Sequence, residues 1–439
     1  MTAISFPSRP ALAVLAAFAA ALAAFALLAS RPAAPAPSAV AVGPDLGAPA
    51  GSTAAQVARL QAAVRAAPQR ADLLAQLAAA YLQDVRETGD ASFYVRAEGV
   101  LRRALARAPR DADVLVEAAT LAAARHDFRG ALRLARAARS AAPQRVAAYP
   151  VLVDALVELG RYRAADSALQ AMVDAKPNLA AYARVSYLRE LHGDLAGAAR
   201  AMALAVDAGG ANPENVAYVQ SLLGALELQR GRLAAADRAF AAARAALPAS
   251  APAAAGLARL AAAQGHLRRA IRLWRALVAR LPLPEYVVGL GETELAEPDD
   301  VASGRRDLAL VRVEERLLAA AGVDTDVDLA IFEADHGDPG RSLELARRAW
   351  AAAPSVRSAD ALGWALTRAG RAHAGLAWAH RALRLGSLDP LMRARAGLSA
   401  VAAGRPAEGA RDLRLALAHG LGAYPWQAAR ARRALEALR

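Results

Sequence analysis

The chain has 439 residues, 56% of them apolar but only 5% aromatic, and no cysteine, which excludes disulfides, thiolate metal sites and cysteine nucleophiles. Its net charge of +13 is almost all arginine, with Lys176 the only lysine. The arginines are spread along the chain among acidic residues, a pattern of solvated helix faces rather than of a nucleic-acid stripe. The apolar content is mostly alanine, the strongest helix former and small enough to let helices approach closely. No run of alternating β-branched residues marks a strand, so the class is all-α.

In chain order, residues 11–30 are twenty uncharged residues bracketed by Arg9 and Arg31. At about 1.5 Å per residue such a helix spans roughly 30 Å, the hydrocarbon thickness of a bilayer. Residues 1–30 therefore read as an apolar anchor. The second reading is a cleaved signal segment, with Ala39-Val40-Ala41 as the better small-x-small site. Both readings put the body outside the cytoplasm: membrane-anchored with a periplasmic or cell-surface body, or secreted if the signal is cut. Residues 31–51 are rich in Pro, Ala and Gly and form an extended spacer. Helical pattern starts near Ser52, with a first helix expected over 52–68.

Beyond this segment two ladders of punctuation run through the chain. Prolines fall at 68, 109, 143, 177, 248, 282 and 354, with spacings of 34 residues, near-multiples of 34, or 34 plus a seven-residue excess. Glycines fall at 160, 193, 231, 265, 337, 370 and 404 with matching spacings. A unit of 34 residues with Gly near its middle and Pro at its end is two helices joined by turns. The excess falls at 84–93 and is expected to lengthen both helices of the first unit around Gly89. A longer second helix is expected in the seventh unit, over about 300–321.

Within this frame Leu74, Leu77, Ala78, Tyr81, Ala97, Leu101, Ala104 and Pro109 stand in one unit. Leu223, Gly224, Ala236, Phe240, Ala243 and Pro248 stand in another, and Leu257, Ala258, Ala270, Trp274, Leu277 and Pro282 in the next. This pattern resembles the tetratricopeptide-repeat family, of membrane-anchored or exported bacterial type. The resemblance covers 69–421 and implies an α-solenoid of about ten repeats, with residues 422–439 as a capping helix. It also implies a concave groove lined by first helices, into which Tyr187, Tyr218, Ser221, Arg259, Glu285, Glu292, Asp360 and Trp364 would project. The residues with which some family members bind chaperone C-termini do not stand at the corresponding places.

Chemistry is sparse. Glu333 and His336 would share a helix face, but His336-Gly337-Asp338 repeats His192-Gly193-Asp194, which reads as a turn followed by an Asp cap. His373 and His380 share a face without a third ligand. No nucleophile elbow, phosphate loop or zinc-protease motif occurs. No catalytic, cofactor or metal site and no nucleic-acid partner is expected. The function expected is a protein-interaction scaffold or assembly factor of the cell envelope. The alternative is an accessory protein of envelope polymer biosynthesis or secretion that holds lipid or polysaccharide, which would need a continuous apolar or aromatic channel.

Overall fold

The computed structural model describes residues 53–210 and 212–439, so the segment 11–30 and the spacer lie outside the described residues. Among the described residues no helix is long and apolar enough to cross a membrane. Helix α1 (Thr53–Ala66) leads into ten two-helix units. Units 1 to 3 are α2 (Ala71–Thr88) with α3 (Ser92–Arg107), α4 (Ala112–Ala124) with α5 (Phe128–Ala141), and α6 (Tyr149–Glu158) with α7 (Tyr162–Ala175). Units 4 to 6 are α8 (Leu179–Leu191) with α9 (Leu195–Ala208), α10 (Pro213–Gln229) with α11 (Leu233–Ala246), and α12 (Ala251–Ala263) with α13 (Leu267–Arg280). Unit 7 is α14 (Pro284–Leu295) with α15 (Val301–Ala320), and unit 8 is α16 (Asp326–His336) with α17 (Pro339–Ala352). Unit 9 is α18 (Val356–Arg368) with α19 (Ala372–Ala382), and unit 10 is α20 (Pro390–Ala402) with α21 (Pro406–Ala418). Helix α22 (Pro425–Glu436) closes the array.

The proline ladder sets the helix ends. Proline bars the α region to the residue before it. Accordingly Ala108, Ala142, Lys176, Leu247, Leu281 and Ala353 all leave the helix with φ between −136° and −161°. The rungs without a proline are filled by glycine. Gly209 ends unit 4 at φ +59° and Gly322 ends unit 7 at φ +79°, a left-handed stop that needs no proline. Asp127, Asn178, Asp194 and Asp389 cap the starts of α5, α8, α9 and α20 through their side-chain oxygens.

Small residues of first helices meet large residues of second helices. Phe240 on α11 is 1% exposed and wedged between two first helices. A Cβ added to Gly224 or Gly256 would fall 2.5 Å or 2.1 Å from its ring. First helices of successive units also touch directly, α2 on α4, α10 on α12, α16 on α18 and α18 on α20, while the second helices stand farther apart. The stack therefore curves with its first helices on the inside.

This curvature brings the chain back onto itself. The turn inside unit 3 sits against the turn between units 8 and 9: the Val356 amide donates to the Tyr162 hydroxyl at 2.8 Å, across 194 residues. Arg129 donates to the carbonyl oxygens of Ala351 and Ala352, and the Asp324 amide donates to that of Arg125. The turn inside unit 4 meets the turn after unit 9, where Gly193 and Gly386 are in close approach. One superhelical turn thus takes between five and six units, and neighbouring turns meet at these contacts.

The insertion at 84–93 continues α2 to Thr88, with Gly89 at φ +72° turning into α3. Arg86 in the added length, with Gln83 just before it, reaches across the inside to Glu214 at the start of α10. At the other end α22 packs on α20 and α21, capping the last unit. It also crosses the inner side, where Gln427 donates to Glu292 on α14 at 2.6 Å and Arg430 pairs with Asp335 on α16.

Candidate functional site

A cavity of about 310 Å3 lies on the inner side, walled by α12, α14, α15 and α16 and closed by α20 and the segment leading into α22. Three of the eight residues expected in the groove meet there: Arg259, Glu285 and Glu292. Arg259 places its guanidinium 5.6 Å from the ring centroids of both Trp274 and Tyr424, within cation–π range. Glu292 is 7% exposed and doubly held, by His336 Nε2 at 2.9 Å and by Gln427. Both carboxylate oxygens of Glu285 are sealed from solvent and accept from no other residue.

The other five are distributed elsewhere along the inner face. Tyr187 on α8 and Tyr218 on α10 are half-buried, and burial raises the pKa of both phenols above the usual tyrosine range. Ser221 is 4% exposed and its hydroxyl donates to the Ala217 carbonyl of its own helix at 2.7 Å. Asp360 accepts from Arg395 at 2.9 Å, tying unit 9 to unit 10. Trp364 is buried, donates its indole N–H to Asp335 at 3.2 Å and lies under the Arg430 guanidinium of α22. A comparable buried pair, Arg184 with Asp154, joins units 3 and 4 at 2.8 Å.

The histidines resolve differently from one another. Asp194 and Asp338 both cap the helices that follow them, as the repeated His-Gly-Asp pattern predicts. Gly193 is left-handed at φ +78°, but Gly337 has a negative φ of −138°. Glu333, which Arg312 holds at 2.7 Å, accepts from the Asp338 amide and fixes that turn by another route. His336 is consequently more than a turn residue: it faces the cavity, bonded to Glu292 and 4.5 Å from the Trp426 ring. His380 bonds to Glu408. No group of three or more residues able to hold a metal occurs among the described residues.

The cavity contains a carboxylate that reading first helices alone misses. Glu315 is on α15, a second helix, and is 4% exposed, with Oε2 sealed and without a partner. Burial pushes its pKa up to about 8, and that of Glu285 also to about 8, with the nearby Asp328 charge adding to the effect at both. A signal was present in the sequence. The buried positions of α15 run Gly304, Leu308, Val311, Glu315 and Leu318, so Glu315 interrupts an apolar stripe at helical spacing.

No family model matches the chain, and no curated protein matches it. Solved structures do show a likeness. A tetratricopeptide repeat protein from Parabacteroides merdae is 16% identical over 59% of this chain and 98% of its own, with a TM-score of 0.33. The human IFIT1 dimer with m7Gppp-AAAA is 13% identical over 76% of this chain and 77% of its own, with a TM-score of 0.47. The APC/C hetero-tetramer Cut9-Hcn1 is 13% identical over 87% and 93%, with a TM-score of 0.32. The ten-unit α-solenoid described above rests on the geometry of this chain itself.

Proposed function

We propose that this protein is a scaffold of the cell envelope that holds a segment of a partner protein along its inner face, tethered through residues 11–30. The observation that carries the reading is the cavity on the first-helix side. There an arginine between two aromatic rings, an unpartnered carboxylate and a held carboxylate converge from separate units. Aromatic and arginine side chains that converge in a concavity are the usual anchors of a bound chain. The charged wall, with Glu285, Glu292, Glu315 and Asp328, is not the continuous apolar channel that a lipid carrier would need.

The test is co-purification from membranes with the chain from Ser52 onward, run in parallel with Arg259→Ala and Tyr424→Ala. A partner retained by the native chain and lost from both variants at moderate salt supports the reading. Equal recovery with all three removes the cavity from the function. Protease digestion of intact cells and of cells whose outer barrier alone is opened tests the location: a cell-surface body is cut in both, a periplasmic one only in the second, and survival in both removes the envelope reading.

A further inference from the structure

Charge divides between the two helix sets. The ten second helices carry 27 arginines and 11 acidic residues, whereas the ten first helices carry 8 and 18. Six of the eight inner arginines form an ion pair. Of the 27 outer ones only six do. Solvation alone accepts either sign of charge, so an outer surface this one-sided suits an anionic partner.

On two outer helices these cations flank apolar side chains that face water. Four large apolar residues are exposed among the described residues, and three of them are on α3 and α15: Val95 at 50%, Leu310 at 51% and Val313 at 44%. Every exposed residue of α15 is arginine, alanine, leucine or valine, and Leu310 and Val313 share one face with Arg306 and Arg316. Val95 shares a face of α3 with Arg102 and Arg103. The exposed acid of that helix, Glu98, is taken by Arg125 at 3.1 Å. The two helices meet at the seam, where Leu318 and Ala321 at the end of α15 enter the buried cluster that contains Tyr94 of α3.

We propose that this arginine-rimmed patch rests on an anionic phospholipid surface, with Val95, Leu310 and Val313 reaching between headgroups that the surrounding arginines hold. Apolar side chains ringed by cations are the composition that binds at a lipid interface. A second copy of the chain is disfavoured, because a self-complementary contact would set arginine against arginine. Nucleic acid is disfavoured because aliphatic side chains give bases nothing to stack on. The chain also enters the body next to this patch. Thr53 opens α1, which packs on α2 of the unit that carries Val95, and 22 residues separate it from residue 30. A spacer of that length reaches at most about 75 Å, which keeps the patch near any bilayer that residues 11–30 enter. The lipid contact is independent of the cavity, so failure of either reading leaves the other standing.

Helices α1 and α22 close the array at both ends, so residues 53–439 form a complete body. Flotation of this chain with vesicles tests the contact without the apolar segment. Expected is binding to mixed phosphatidylglycerol–phosphatidylcholine vesicles, little binding to pure phosphatidylcholine, and a loss as salt rises from about 0.05 to about 0.5 M. Arg305→Glu with Arg306→Glu should weaken binding at least tenfold, and so should Leu310→Ser with Val313→Ser. All four side chains are exposed, so the unfolding temperature should hold in both variants. Arg163→Glu with Arg200→Glu changes the net charge equally on units 3 and 4, away from the patch, and should bind within about twofold of the native chain. Absence of binding to the anionic vesicles, equal binding to both vesicle types, or equal weakening by the Arg163 and Arg200 pair overturns the proposal. So does a dimer in solution that Leu310→Ser with Val313→Ser breaks, or tighter binding of a single-stranded RNA that Arg305→Glu with Arg306→Glu abolishes.

Discussion

The turns inside units 3 and 4 and those inside units 5 and 6 carry the same glycine, at φ +67° and +78° in the first two and +73° and +81° in the second. Their surroundings differ. A Cβ at Gly160 would lie 2.3 Å from the Pro354 carbonyl oxygen, and one at Gly193 would lie 2.5 Å from that of Gly386. At Gly231 and Gly265 a Cβ would meet nothing within 4 Å. One rung of the ladder therefore does two jobs. In all four units it lets the backbone turn left-handed; in units 3 and 4 it also lets the next superhelical turn dock. The comparison separates what a repeat needs to fold from what a stack of repeats needs to close.

The largest effect is expected at the docked glycines. Gly160→Ala incurs about 1–2 kcal/mol for the left-handed backbone, and about 1–3 kcal/mol more for the collision with a packed backbone. Gly265→Ala incurs only the first. Paired denaturant titrations check this, and equal losses in the two variants would erase the distinction. Small-angle scattering should further show Gly160→Ala longer than the native chain, with Gly265→Ala unchanged.

An intermediate effect is expected at Tyr162→Phe. Its hydroxyl accepts from the Val356 amide, which the variant leaves buried without a partner, at about 1–3 kcal/mol. Hydrogen exchange at Val356 should accelerate while amides in units 5 and 6 keep their protection. Uniform acceleration along the chain would mean that docking and repeat stability are a single transition.

The smallest effect belongs to unit 2, where His126 occupies the glycine rung at φ +63° and bonds through its ring to the Asp324 carbonyl. Burial favours the neutral imidazole and lowers its pKa from the ordinary 6.5, although the Asp324 and Asp328 charges oppose this and Arg357 reinforces it. A base depressed in this way contributes stability that is complete above 6.5 and is lost as pH falls through the folded value. Between pH 7 and 5 the native chain should therefore lose more stability than His126→Asn, by up to about 1.4 kcal/mol per unit of pKa depression. Identical slopes would show that the His126 ring is as hydrated in the fold as in the unfolded chain.

Much of the repeat was legible in the sequence because its signals are local. Proline bars helix to its predecessor, and left-handed turns select glycine, so spacing along the chain became spacing along the stack. The units without proline were harder to read, since Gly209 and Gly322 end their helices by a different device. His126 hid its rung because a non-glycine residue took the glycine conformation. Of the cavity, Arg259, Glu285 and Glu292 were legible as first-helix positions, whereas Glu315 showed only as a break in the apolar stripe of a second helix and Gln427 not at all. Glu315 belongs to the helix set assumed to face outward. Gln427 reaches Glu292 across 135 residues, a closure that no local pattern encodes.

The docked turns also give the molecule a mechanical character. An open solenoid stretches like a coil spring, since each interface yields by a little and the extensions add. Here a pull along the axis meets Arg129, Tyr162 and the Arg125–Asp324 link first, and these resist together across one seam before any single unit is loaded. The rod should hold its length under small forces and then give way abruptly.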